Sequence, residues 1–106
     1  MTSIDAVGRL VGIEVVELEH WIGERWVLPE SAGAGYVFQE VDVARVRLIV
    51  ELKRDLAMDE DTIAMALRLL DQVYALRRRL KAMTEAIDAL PPDLRDAVVA
   101  KLQGDA

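Results

Sequence analysis

The chain contains no cysteine, which excludes disulfides and thiol chemistry and makes a cytoplasmic protein the expectation. Histidine occurs once, at His20, so no set of histidine and cysteine ligands can be assembled and neither a metal nor a cofactor is expected. No run of 18 apolar residues occurs, so no membrane-spanning helix is expected. The opening residues MTSIDAVGRL lack a basic segment followed by an apolar one, so a signal peptide is not expected either. The glycine-containing stretch ESAGAG (30–35) lacks the lysine and the following helix of a phosphate loop. No nucleophile stands with a matching base. Catalysis is therefore not expected, and function must lie in binding.

What is present suits a small mainly α protein. The 106 residues are 53% hydrophobic and 30% charged, enough for one domain with an appended helix. The formal net charge is -6, unevenly placed. Residues 1–40 hold seven acids and two bases, Arg9 and Arg25, whereas residues 41–106 hold twelve acids and eleven bases. A surface meant for nucleic acid needs lysine and arginine to displace counterions. The first forty residues are charged the wrong way for that.

Ser3 can cap a first helix over 4–10, with Ile4, Val7 and Leu10 at helical spacing. Gly12 ends it. A second helix over 15–22 has Val15, Leu18 and Ile22 as its buried stripe, with Trp21 beside it, and Gly23 closes it. Two short helices in this order read as a helix-turn-helix, whose second helix usually enters the major groove. Here that helix region carries Glu14, Glu17 and Glu19 and no lysine or arginine. The β-prone runs WVLP (26–29) and GYVF (35–38), separated by ESAGAG, read as a hairpin wing with a mobile tip. Asp42 can cap a third helix over 43–56, with Leu48, Ile49, Leu52 and Leu56 facing inward and Val46 and Val50 widening the stripe. Residues 57–59 form a break.

The fourth helix runs from about 60 until Pro91-Pro92 stops it. Asp59 can cap it, with Glu60 and Asp61 favourable at its positive end, which explains the acidic triplet at lower cost than a metal site. One apolar seam, Ile63, Leu67, Leu70 and Tyr74, serves the N-terminal domain. The other is Ala66, Leu69, Val73, Leu76, Leu80, Met83, Ile87 and Leu90, stepping alternately by three and four residues as in a coiled coil. It needs a partner along its length, and a homodimer through Leu69, Val73, Leu76, Leu80, Met83 and Ile87 is the natural solution. The basic run Arg77 to Lys81 reads as a solvated face beside this seam. The expected organisation is a winged-helix domain (1–58), a dimerisation helix (59–90) and a short terminal helix with a tail (91–106).

Ile4, Arg9-Leu10, Gly12-Ile13, Val15, Leu18 and Trp21 resemble the helix-turn-helix framework of MerR-type regulators. Val27 and Pro29 fall where that pattern enters its wing, and Gly35-Tyr36 where it has a wing strand. The resemblance implies a MerR-like winged helix followed by a dimerising helix. It also implies cationic contacts in the recognition helix and after the wing tyrosine, where this chain has Val16, Glu19 and Val37. DNA is therefore not the expected ligand.

The run LAMDEDTIAMALRLLD (56–71) resembles a narrower signature, Leu-Ala-Leu-Asp followed by Ile-Ala-x-Ala-Leu-x-Leu-x-Asp, of the CbpM-type chaperone modulators. Leu56, Ala57, Asp59, Ile63, Ala64, Ala66, Leu67, Leu69 and Asp71 carry the match, and the likeness extends over about residues 4–83. It implies a modulator that binds the J-domain of a DnaJ-like co-chaperone and keeps Hsp70 from it. J-domains, as the resemblance implies, present a basic helix, so the expected docking residues are Glu14, Glu17, Glu19 and Glu24, with helix 3 or its junction with helix 4 as the alternative face. The alternatives are a MerR-like DNA-binding transcription regulator and a dimeric adaptor for an unrelated protein.

Overall fold

The computed structural model of the chain describes residues 2–104. The elements follow as β1 (Thr2–Ser3), α1 (Ile4–Val11), α2 (Val15–Gly23), β2 (Glu30–Ala32), β3 (Gly35–Phe38), α3 (Glu40–Val50), a π-helical turn (Glu51–Asp55), α4 (Glu60–Asp88) and α5 (Pro92–Gly104). The chain divides into two compact units, Met1–Leu67 and Arg68–Ala106. This is the mainly α winged helix-turn-helix with a small hairpin, a long helix and a terminal helix that the sequence predicts.

The first helix starts and stops where its capping residues require. Ser3 is its N-cap, and its hydroxyl accepts from the Ala6 amide at 3.2 Å. Gly12 stands at φ 81°, in the left-handed region, and its amide donates to the Gly8 carbonyl at 2.9 Å. An L side chain resists that conformation, so glycine fits the stop. The second helix ends differently from expectation. Gly23 is still helical, and the left-handed residue is Arg25, at φ 64°.

The wing is also displaced from its predicted place. WVLP forms no strand. Trp26 and Val27 are buried, anchoring the connection in the core. The outer strand is β2, within ESAGAG, and it pairs with β3 as Glu30↔Val37, Ser31↔Tyr36 and Ala32↔Gly35, leaving a two-residue turn at Gly33 and Ala34. The expected loop is thus mostly strand. A third strand, which the sequence reading did not anticipate, pairs Thr2 with Phe38 and Ser3 with Val37, so the order is β1-β3-β2. Two residues are too few to leave an alternating pattern.

The third helix begins earlier than expected. Gln39 is its N-cap, and Asp42 sits one turn inside, where its carboxylate accepts from the Gln39 amide at 2.9 Å. Asp42 therefore supplies the reciprocal half of a capping box. Val46, Ile49 and Leu52 are buried, and Leu48 and Val50 are half-buried. Leu56, expected inside, is 61% exposed. The π turn explains this. The Leu56 amide bonds to the Glu51 carbonyl, five residues back, which widens the turn and breaks the phase of the stripe. Leu10 is likewise exposed, at the open end of α1.

The core of the first unit draws Val7 and Ile13 from around α1, Leu18 and Trp21 from α2, Phe38 from β3, the α3 stripe, and Ile63 and Leu67 from the first turns of α4. Asp59 caps α4 as expected, its Oδ1 accepting from the Thr62 amide at 2.8 Å. Of the seam assigned to the N-terminal domain, Ile63 and Leu67 are buried, Leu70 is half-buried, and Tyr74 is exposed instead.

Candidate docking face

Helix α2 turns Leu18 and Trp21 into the core and leaves Val15 and Ile22 half-buried. At about 100° per residue the opposite side carries Val16, Glu19, His20 and Gly23. All four are exposed, and Val16 is 73% exposed. Glu14 precedes the helix as its N-cap without a side-chain capping bond, and Glu24 follows it as the C-cap. A carboxylate at Glu14 suits the positive end of the helix, whereas one at Glu24 opposes the negative end.

The four predicted docking glutamates do not have equal standing. Glu14, Glu19 and Glu24 are exposed and form no salt bridge among the described residues. Glu17 is half-buried on the flank of the helix and is paired with Lys53 from the π turn. The same ammonium lies 6.0 Å from the centroid of the Trp21 ring. Its charge therefore neutralises Glu17 and packs over the aromatic face. Sequence reasoning could not find this pair, because 36 residues separate its members.

The His20 side chain is half exposed, but it is tethered. Its Nε2 lies 2.6 Å from the Glu60 Oε1 at the first residue of α4. Its ring meets Trp26 edge-on, with centroids 6.5 Å apart and planes at 64°. The Glu60 hydrogen bond raises its pKa above the ordinary 6.5. Partial desolvation and Lys53 oppose the shift, while the charges of Glu60 and Glu24 add to it. Both tryptophans are core. Their centroids are 6.4 Å apart, and the Arg45 Nε donates to the Trp26 carbonyl.

The positions where MerR-type readers place arginines present no cation here. Val16 and Glu19 are on the open face of α2, and Val37 is half-buried in β3. The run 56–71, which resembles a chaperone-modulator signature, starts at the join between the π turn and α4 and continues into α4. There Ala57 takes φ 51°, Asp59 caps the helix, and Ile63 and Leu67 enter the core. Hydrogen bonds from the Thr62 hydroxyl and amide hold the Asp59 carboxyl below its usual pKa. Ala57, Asp59, Ile63 and Leu67 are thus accounted for by building this join, whereas Leu56 and Leu69 are exposed.

On α4 the second seam is open in the single chain. Leu69, Leu76, Leu80 and Met83 are each more than half exposed, and Val73 is exposed as well. Ile87 and Leu90 are half-buried, as are Arg95 and Val98 just beyond the turn into α5. No described helix is long and apolar enough to cross a membrane. Among the described residues no three of histidine, cysteine, aspartate and glutamate gather where they could hold a metal ion.

No curated protein and no solved structure matches the chain. A family model does, over residues 2–85, and its description is MerR HTH family regulatory protein. That span takes in the helix-turn-helix, the wing and nearly all of α4, and on this ground the chain belongs to the MerR HTH family of regulatory proteins.

Proposed function

We propose that the protein is a non-enzymatic modulator of a DnaJ-like co-chaperone, acting as a homodimer that binds the J-domain and holds it from Hsp70. The observation that carries this reading is the open face of α2, where Val16 and Glu19 stand in place of cations and Glu24 adds a carboxylate just past the helix end. Such a face repels phosphate and suits a basic helix, for which charge complementarity speeds and orients encounter. Val16 adds an exposed apolar contact at the N-terminal end of that face. The likeness of residues 56–71 to the CbpM-type signature selects the J-domain among basic partners. The unpaired seam of α4 supports the homodimer.

The test is titration of the purified protein with the J-domain of a co-chaperone from the same cell, followed by measurement of Hsp70 ATPase stimulation. Saturable binding with reduced stimulation supports the reading. Absence of binding to every J-domain of that cell removes it. The family match favours a second reading, a DNA-binding transcription regulator. Genomic selection that returned a specific palindromic site would establish that one instead.

A further inference from the structure

The winged-helix unit has a second open surface, to which α2 contributes no lining residue. A groove of about 310 Å³ runs between α1 and α3, and a continuation of about 210 Å³ reaches the π turn. Leu10 and Arg47 line both, so the two are one channel. Its apolar lining includes Leu10, 58% exposed near the end of α1, and Val43 and Val50, half-buried on α3. Arg54 donates to the Gly12 carbonyl at 2.9 Å, which ties the π turn to the end of α1 and fixes the two walls at that side. Three charges follow along the α3 wall in the order acid, base, acid. They are Glu40, Arg47 and Glu51, seven and then four residues apart. All three are exposed, and none forms a side-chain hydrogen bond or ion pair among the described residues. Arg47 and Glu51 stand base before acid, the weaker order for a pair within one helix. The guanidinium is thus a free cation in an apolar channel.

We propose that this groove docks an amphipathic helix of a partner protein, which sets apolar side chains on Leu10, Val43 and Val50, a carboxylate on Arg47, and a base on each of Glu40 and Glu51. A channel open along one side does not enclose a small molecule, but it accepts the side chains of a protein segment. The charges fix the kind of segment. A helix laid along α3 reproduces their spacing at 1.5 Å per residue, about 16 Å in all. An extended chain rises about 3.3 Å per residue and turns alternate side chains away. Arg47 also excludes the ligand fitted to α2, because a uniformly basic helix would set a cation against the guanidinium. The two faces therefore select different ligands. The inference does not rest on the J-domain reading, and loss of one leaves the other standing.

The probes are two synthetic helical peptides that carry lysine, glutamate and lysine on one face with leucines between them. One has the charges seven and then four residues apart, and the other four and then seven, to match the two directions of docking. Each has a control in which the central glutamate is lysine. They are titrated into the full-length protein and followed by its amide and methyl NMR signals. One glutamate peptide is expected to bind saturably, moving the signals of Leu10, Val43 and Val50 and leaving those of Val16 and Glu19. Its lysine control is expected to bind about tenfold more weakly. Arg47→Glu is expected to reverse that preference and Arg47→Gln to remove it, both with helical content kept, because Arg47 is exposed. Binding of neither glutamate peptide, a preference indifferent to both Arg47 variants, or shifts confined to α2 overturns the proposal. Groove signals that move when the protein alone is diluted would place a second copy there, and would overturn it as well.

Discussion

At the residue scale, two positions show how local chemistry limits what can be changed. A Cβ added at Gly8 would lie 2.8 Å from the Ile13 carbonyl oxygen, which is backbone and cannot swing away. Gly12 has open space but a positive φ. Gly12→Ala is therefore expected to cost about 1–2 kcal/mol, the strain of a left-handed L residue, and Gly8→Ala to cost at least as much by displacing the α1–α2 turn. Urea unfolding would measure both, and an unchanged midpoint in either would refute the argument for that residue. His20 gives a pH prediction. Its pKa is raised in the folded state, chiefly by Glu60. The bond to Glu60 therefore contributes fully below the ordinary 6.5 and is lost as pH rises through the folded value. His20→Asn should lower the melting temperature in mildly acidic buffer and matter little in alkaline buffer. A deficit independent of pH would assign the residue a packing role only.

The element scale explains why some calculable features were legible and others were not. Capping and periodicity are local, so Ser3, Gly12 and Asp59 could be placed from sequence; of the α2 stripe Leu18 is buried, while Val15 and Ile22 are half-buried and Trp21 takes the core place instead. The wing strand was misplaced because Trp26 and Val27 have strand-like composition but serve the core, a choice made by packing. Leu56 was misplaced because a single widened turn shifts every later residue of a stripe. The acidity of the α2 face was legible in the sequence and its pairing was not. That matters for testing it. Glu17→Lys would set a lysine against Lys53, so loss of binding could follow from damage to α2. Glu19→Lys is the cleaner reversal, because Glu19 is exposed and unpaired among the described residues. It is expected to slow J-domain association and steepen no melting transition. Binding unchanged by it would move the docking surface off α2. The Glu17–Lys53 pair itself is partly exposed, so a double-mutant cycle should return no more than about 1 kcal/mol.

At the scale of the whole molecule, Leu76→Asp with Leu80→Asp should abolish self-association, because each places a charge in the seam. Both residues are exposed in the single chain, so the first unit should keep its fold. Sedimentation paired with circular dichroism would check this, and a persisting dimer would place the contact elsewhere. Specific DNA binding is not expected at near-physiological salt, given Val16, Glu19 and Val37 where the fold's readers carry cations. The closing point of the first core at Leu67 has one more consequence. Helix α4 continues to Asp88, about six turns beyond the last buried leucine. Amide protons of one continuous helix should then exchange with solvent in two populations. Those near Ile63 would open only when the winged helix unfolds, at a rate indifferent to dilution. Those after Leu67 would exchange faster as the protein is diluted, so a single helix would report domain stability at one end and protomer concentration at the other.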